Sequence, residues 1–342
     1  MPTQDIAAVE SIPGTRDALL TVSASPHMRS EVTVSKIMYS VLLALLPTSL
    51  AGIYLFGFGA LKVILIGIFG AVAAEALVQP LLGKKMSTVL DGSAAVTGLL
   101  LALTLPPALP WWMVLTGSVI AIILGKAIYG GLGNNPFNPA LIARVVMLVS
   151  WPVHLTRWQK PGYLFAKSVD TVTTATPLGM LKTEGLASIG HIRLLDLFFG
   201  YRGGCIGEVS ILALLLGAGF LIWKGYITWH IPLSCMAAAF VTSGLFWVVN
   251  PHRYADPLFH VLTGGLVLGA FFMATDMVTS PITGKGMLIY GTGIGIVTII
   301  IRMFGGYPEG MSFAILIMNA VCPLIDKCTL PRGFGRAKVK NA

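Results

Sequence analysis

Apolar residues fill most of this chain in long runs, parted by short stretches of Gly, Pro, Lys and hydroxyl residues. A helix that crosses a bilayer needs about 20 mostly apolar residues. Runs of about that size fall at 36–56, 60–82, 93–109, 111–132, 137–152, 206–224, 229–249, 258–276, 286–304 and 311–326. No water in the bilayer core can satisfy open backbone groups, so such runs must be helical. The pattern predicts an all-α, polytopic membrane protein of about ten transmembrane helices. The third and fifth runs are short and flanked by Gly and Pro, and read as half-helices or re-entrant segments. Around these runs the chain divides into an N-terminal segment 1–34, a first transmembrane half 35–152, a polar loop 153–192, a second transmembrane half 193–327 and a basic tail 328–342.

Composition excludes an ordinary soluble domain. Only 11% of the 342 residues are charged and 55% are hydrophobic, with a mean hydropathy of +0.82, whereas soluble domains carry about 25% charged residues. The net charge of +9 is informative by position, since Lys and Arg near span ends favour the cytoplasmic side. Lys84, Lys85, Lys224, Lys285, Lys327, Arg332, Arg336, Lys338 and Lys340 share one side of an even-span arrangement with Arg16, Arg29 and Lys36. Both termini are therefore expected in the cytoplasm, and loop 153–192 outside, although it also holds Arg157, Lys160, Lys167 and Lys182. The N-terminal segment lacks the short apolar core and cleavage site of a secretory signal. Dispersed short-loop lysines form no nucleic-acid patch. The four cysteines, Cys205, Cys235, Cys322 and Cys328, contain no CxxC pair and read as small apolar residues.

Two sets of marks recur in the halves. Thr97-Gly98-Leu99-Leu100 has a counterpart in Thr263-Gly264-Gly265-Leu266, and Gly130-Gly131 in Gly305-Gly306, each Gly-Gly preceding a helix expected to start at Ala140 or Ala314. Repeated, interrupted apolar segments mark bundles that bind something near the bilayer midplane. The stretch Gly130-Gly131-Leu132-Gly133-Asn134-Asn135-Pro136-Phe137-Asn138-Pro139 must be buried in protein or line a cavity if it lies at membrane depth. It fits two readings, a capped helix-turn-helix at the cytoplasmic face or a site where Asn135 and Asn138 meet a planar polar ring.

Ionisable residues fall in or at the edges of spans: Glu75, Lys126, Arg144, Glu208 and Asp276. Charges there are costly, and are usually functional or mutually paired. Glu75 lies mid-span and Asp276 at a span end, which makes both candidates for ion coupling, with a simple helix cap as the alternative for Asp276. No Walker loop, GxGxxG fingerprint or HExxH is present, so nothing marks a self-contained enzyme.

The polar loop holds Asp170-Thr171-Val172-Thr173-Thr174-Ala175-Thr176-Pro177-Leu178. It reads either as a surface loop whose hydroxyls satisfy backbone groups or as an exposed attachment point for a large group. This segment resembles the site at which one family of membrane redox proteins carries FMN on threonine: the D subunit of the Rnf electron-transport complex and its relative, the B subunit of the sodium-pumping NADH:quinone reductase. The resemblance extends over nearly the whole chain. It is carried by Asp91-Gly92-Ser93, Leu105-Pro106-Pro107, Trp111-Trp112-Met113-Val114, Lys126-Ala127-Ile128-Tyr129-Gly130-Gly131-Leu132-Gly133, Asn135-Pro136-Phe137-Asn138-Pro139-Ala140 and Trp229-His230-Ile231-Pro232-Leu233. Leu268-Gly269-Ala270-Phe271-Phe272-Met273-Ala274-Thr275-Asp276 and Phe304-Gly305-Gly306-Tyr307-Pro308-Glu309-Gly310 complete the set. Thr171 departs from the small Gly or Ala usual there, leaving Ala175-Thr176 intact.

The resemblance implies a subunit of a bacterial inner-membrane complex that moves electrons between reduced ferredoxin and NAD, coupled to sodium or proton transport. The chain would be an electron-carrying part of that translocase and not catalytic alone. Thr176 would carry covalent FMN through a phosphoester, installed by a separate flavin transferase, with Asp170, Thr173, Thr174 and Ala175 around it. A non-covalent riboflavin near Asn135 and Asn138 is also implied, as are flavin and iron–sulfur partner subunits and surrounding lipid. A small-solute channel or transporter built on the same repeat is the competing expectation; it gives the Thr-rich loop no task.

Overall fold

The computed structural model describes residues 32–83, 86–162, 173–190 and 192–331. The chain divides into two units, Met1–Thr33 and Val34–Ala342, and the second contains all the described helices. Of the first, only residues 32 and 33 are described, so most of the expected N-terminal segment lies outside the described residues, as do Lys84, Lys85, Asp170 and the tail beyond 331.

Five helices are long and apolar enough to cross a membrane: α1 (Val34–Phe56), α2 (Phe58–Leu81), α10 (His230–Val249), α13 (Gly284–Phe304) and α14 (Met311–Thr329). On α1, Ala44, Leu45, Thr48, Ser49, Gly52 and Leu55 are buried, while Leu43, Leu46, Leu50 and Tyr54 face outward. Both sets follow the helical repeat and both are largely apolar, as in a helix with protein on one side and lipid on the other. The chain is a multi-pass membrane protein.

The other apolar runs form shorter pieces. They are α3 (Ser93–Leu103), α4 (Trp111–Ile122) with a π-helical turn over Ile123–Ala127, α5 (Pro139–Ser150) and α9 (Ile211–Trp223). The third and fifth runs are thus 11 and 12 residues long as helices. Run 258–276, expected as one span, is divided: α11 (Pro257–Leu262) ends at a break, and α12 (Leu266–Leu268) continues into a second π-helical turn, Gly269–Met273. At the break, Gly264 adopts φ 70. Freed carbonyls at this depth need partners, and buried arginines supply them. Arg302 Nη1 donates to the His260 carbonyl and Nη2 to the Thr263 carbonyl, while Arg202 Nη1 donates to the Leu262 carbonyl.

The polar loop carries α6 (Pro152–Leu155), α7 (Pro177–Glu184) and α8 (Leu194–Phe199). It also departs from the all-α expectation, since β1 (Trp158–Gln159) pairs antiparallel with β2 (Thr173–Thr174), Trp158 opposite Thr174. Three helices begin with a side-chain cap followed by Pro at the first helical position: Asn138-Pro139, Thr176-Pro177 and Asp256-Pro257. The cap accepts an otherwise open N–H, and the proline needs none.

Packing joins α2 to α3 and α4, α1 to α9, and α10 to α13 along their length. The repeated marks fare unequally. Thr97-Gly98 lies inside α3, whereas Thr263-Gly264 forms the break after α11. Gly130-Gly131 and Gly305-Gly306 do each precede a helix, starting at Pro139 and Met311, and those helices, α5 and α14, pack together.

Candidate functional site

Thr176 caps α7 from its N-terminus. Its Oγ1 accepts from the Gly179 N–H at 3.0 Å, and its carbonyl accepts from Met180 N at 2.8 Å. This duty turns the side chain inward, so Thr176 is 3% exposed, where the sequence led us to expect an open loop; Ala175 beside it is exposed. Of the neighbouring threonines, Thr173 and Thr174 form β2, paired to Gln159 and Trp158, which brings the strand back beside α6.

Thr176 forms part of the wall of a cleft of about 250 Å³. Arg144 and Leu148 of α5 line it, with Trp158 of β1, Tyr307, Glu309 and Phe313. The stretch between α13 and α14 that carries Tyr307 and Glu309 is tied to α7, because Lys182 Nζ donates to the carbonyls of Gly305 and Tyr307. Behind the cleft lies a buried charge cluster. Arg144 Nη2 stands 3.9 Å from Glu309 Oε2 and 3.8 Å from Cys205 Sγ. Cys205, Glu208 and Glu309 hold ligand-type atoms within 4.8 Å of one another. Arg202 donates to the Glu208 carbonyl at 2.9 Å and Arg302 Nε to the Glu309 carbonyl at 3.3 Å. Arg144 Nη1, Glu208 Oε2 and Glu309 Oε1 have no partner among the described residues.

The Asn-rich break lines a second cavity, of about 110 Å³. Asn138 Oδ1 caps α5 through Ala140 N at 3.1 Å, while its Nδ2 donates to the Met273 carbonyl at 3.2 Å, at the end of the second π turn. Asn135 Nδ2 donates to the Phe137 carbonyl, and its buried Oδ1 has no partner among the described residues. Lys126, Ser93 and Asp276 line the same cavity, with Phe271 and Phe272 as apolar wall. Lys126 Nζ bonds Glu75 Oε1 at 2.6 Å and Ser93 Oγ at 2.5 Å, and Gln79 Nε2 also donates to Glu75 at 3.0 Å. Asp276 accepts from Val278 N at 3.4 Å and from the Thr279 hydroxyl at 3.3 Å.

The structure therefore brings Asn135, Asn138 and Asp276 to one cavity, with Glu75 one contact behind it through Lys126. An apolar box with a few fixed polar groups suits a planar ligand with polar edges. Thr176 belongs to the other site. At about 1.5 Å rise per residue, Asn138 and Leu148, which face the two sites along α5, stand about 15 Å apart. Sequence reasoning missed Arg202, Arg302, Cys205 and Glu309 as site residues. Glu309 sits in a stretch whose motif was legible, but its place beside Arg144 depends on a contact between α5 and the loop before α14.

Residues 21–335 match the model of the NQR2, RnfD, RnfE family. The chain is 49% identical to the D subunit of the proton-translocating ferredoxin:NAD(+) oxidoreductase complex of Clostridium ljungdahlii, over 93% of this chain and 96% of that protein. It is 48% identical to the D subunit of the Na(+)-translocating ferredoxin:NAD(+) oxidoreductase complex of Acetobacterium woodii, over 94% and 97%. With the D subunit of the ion-translocating oxidoreductase complex of Stutzerimonas stutzeri it shares 44% identity over 89% and 93%.

Proposed function

The chain belongs to the NQR2, RnfD, RnfE family, and on that premise we propose that it is the D subunit of an ion-translocating ferredoxin:NAD oxidoreductase complex in a bacterial inner membrane. It relays electrons through FMN esterified to Thr176, between flavin and iron–sulfur partner subunits, and participates in coupling that flow to sodium or proton movement. FMN supplies the redox chemistry; the protein supplies position and electrostatics.

One observation carries this reading. Thr176 lines a cleft that is also lined by Arg144, a buried guanidinium whose Nη1 has no partner among the described residues. An esterified oxygen keeps a lone pair, so it can continue to accept from Gly179 N and cap α7 after attachment. Trp158, Tyr307 and Phe313 give the cleft aromatic surface for a flavin ring. The group fits the residues present. We place the non-covalent riboflavin that the resemblance implies with part of its ring in the second cavity, where Lys126 and Asn135 Oδ1, without a partner among the described residues, meet apolar walls.

Thr176→Val removes the bonding oxygen while nearly preserving shape. The variant chain, matured with its flavin transferase, should assemble and lose the flavin fluorescence that survives denaturation in a gel. Full fluorescence in that variant, or its loss instead on changing Thr173 or Thr174, defeats the assignment.

A further inference from the structure

Arg144 is 3% exposed, and its contacts to acceptors are long, 3.9 Å to Glu309 and 3.8 Å to Cys205. Its Nη1 has none among the described residues. Burying a guanidinium is unfavourable unless an anion compensates it, and here the compensation is two long contacts through Nη2, with Nη1 left without a partner among the described residues. Among the described residues, Arg144, Arg202 and Arg302 have Glu208 and Glu309 as their electrostatic carboxylate neighbours. Arg202 and Arg302 already hand donors to main-chain carbonyls; Arg202 Nε, like Arg144 Nη1, has no partner among the described residues, but of the three arginines it is Arg144 that lines the same cleft as Thr176.

We propose that Arg144 is the phosphate receptor of this cleft, its guanidinium holding the single negative charge of the phosphodiester that joins the flavin to Thr176. A diester carries one negative charge and brings acceptor oxygens to Arg144 Nη1, which has no partner among the described residues. Guanidinium geometry matches two phosphate oxygens at once. Arg144 is a positioning residue, bearing on where the tethered ring sits and not on electron transfer itself. The inference rests on the proposed attachment of FMN to Thr176, but it predicts phosphate recognition whether or not the bond has formed.

The test uses the full-length chain purified from cells lacking a flavin transferase, titrated with FMN and with riboflavin by fluorescence quenching. The second cavity is first saturated with riboflavin, so that the affinities compared are those of the Thr176 cleft; riboflavin lacks the phosphate, and the difference between the two isolates the receptor. FMN should bind at least about tenfold more tightly than riboflavin. Equal affinities in the native sequence overturn the proposal. Arg144→Gln should abolish the preference, and Arg144→Lys, which keeps the charge in the buried site, should reduce it at least about threefold. If the glutamine variant does not fold, the lysine variant decides, and an undiminished preference in whichever variant folds is fatal. Absence of flavin on Thr176 in the matured chain, with the FMN preference intact, would instead refute the attachment and spare the receptor.

Discussion

Glu75 and Lys126 meet at 2.6 Å with side chains only 4% exposed, so each is the reason the other can be charged. Removing one partner of such a pair strands the other and costs about 3–5 kcal/mol, whereas replacing both with neutral groups is close to neutral. Glu75→Gln should therefore lower the amount of chain in the membrane, and Glu75→Gln combined with Lys126→Met should restore it. The restored double variant is where coupling can be read, because folding no longer confounds it. Asp276 differs: it accepts from its own turn, at Val278 N and Thr279, and it borders the cavity. Asp276→Asn keeps shape and should leave abundance and flavin content normal. If these carboxylates serve coupling, ion uptake in vesicles falls in both the double variant and Asp276→Asn. Normal electron transfer and ion uptake in both would remove them from the pathway.

At the scale of elements, close approach and broken helices govern the architecture. A Cβ added to Gly295 of α13 would meet the Ala238 side chain at 2.8 Å and the Ala239 backbone nitrogen at 2.9 Å, on α10. Small residues facing one another let membrane helices pack backbone to backbone. Gly295→Leu should therefore force α10 and α13 apart, at an overpacking cost of about 1–3 kcal/mol or more, and lower the melting temperature of the purified chain. Gly219, whose added Cβ would meet nothing, is the control, and Gly219→Leu should melt as the parent does. Equal melting of both variants would show that the α10–α13 approach carries no such constraint. The five long helices were legible as apolar runs, and so was a cap from the Asn-rich break, because an amide before Pro is written locally; the same junction at Thr176-Pro177 was not read from the loop. Nor was the division of 258–276 legible. Hydropathy counts apolar side chains and is blind to whether main-chain carbonyls find partners, and here the partners are Arg202 and Arg302, distant in sequence. For the same reason Thr176 read as exposed: its loop is polar, yet the cap to Gly179 and the walls from α5 and the α13–α14 connection enclose it.

For the whole molecule, the two candidate sites and the membrane normal pose one question. Leu81, Val249 and Trp223 are 84%, 82% and 78% exposed, an outer surface that suits lipid and not water. The cleft at Thr176 and the cavity at Asn138 lie at different heights along α5, about 6 Å apart between Ala140 and Arg144 and about 15 Å between Asn138 and Leu148. A relay between them thus has a component along the helix axis. We propose the sidedness that the basic short loops favour: with an even number of crossings, Lys and Arg near the span ends would set both termini in the cytoplasm and residues 153–192 outside. A reporter active only outside the cytoplasm, fused after Lys182, should be active, and the same reporter fused after Lys340 should be silent. The opposite pattern would reverse the chain in the membrane, and Thr176 would then face a cytoplasmic rather than an external flavin transferase. Two active fusions would mean an even number of crossings between Lys182 and the tail, which would require one of the short pieces, α9 or the α11–α12 pair, to turn back without crossing.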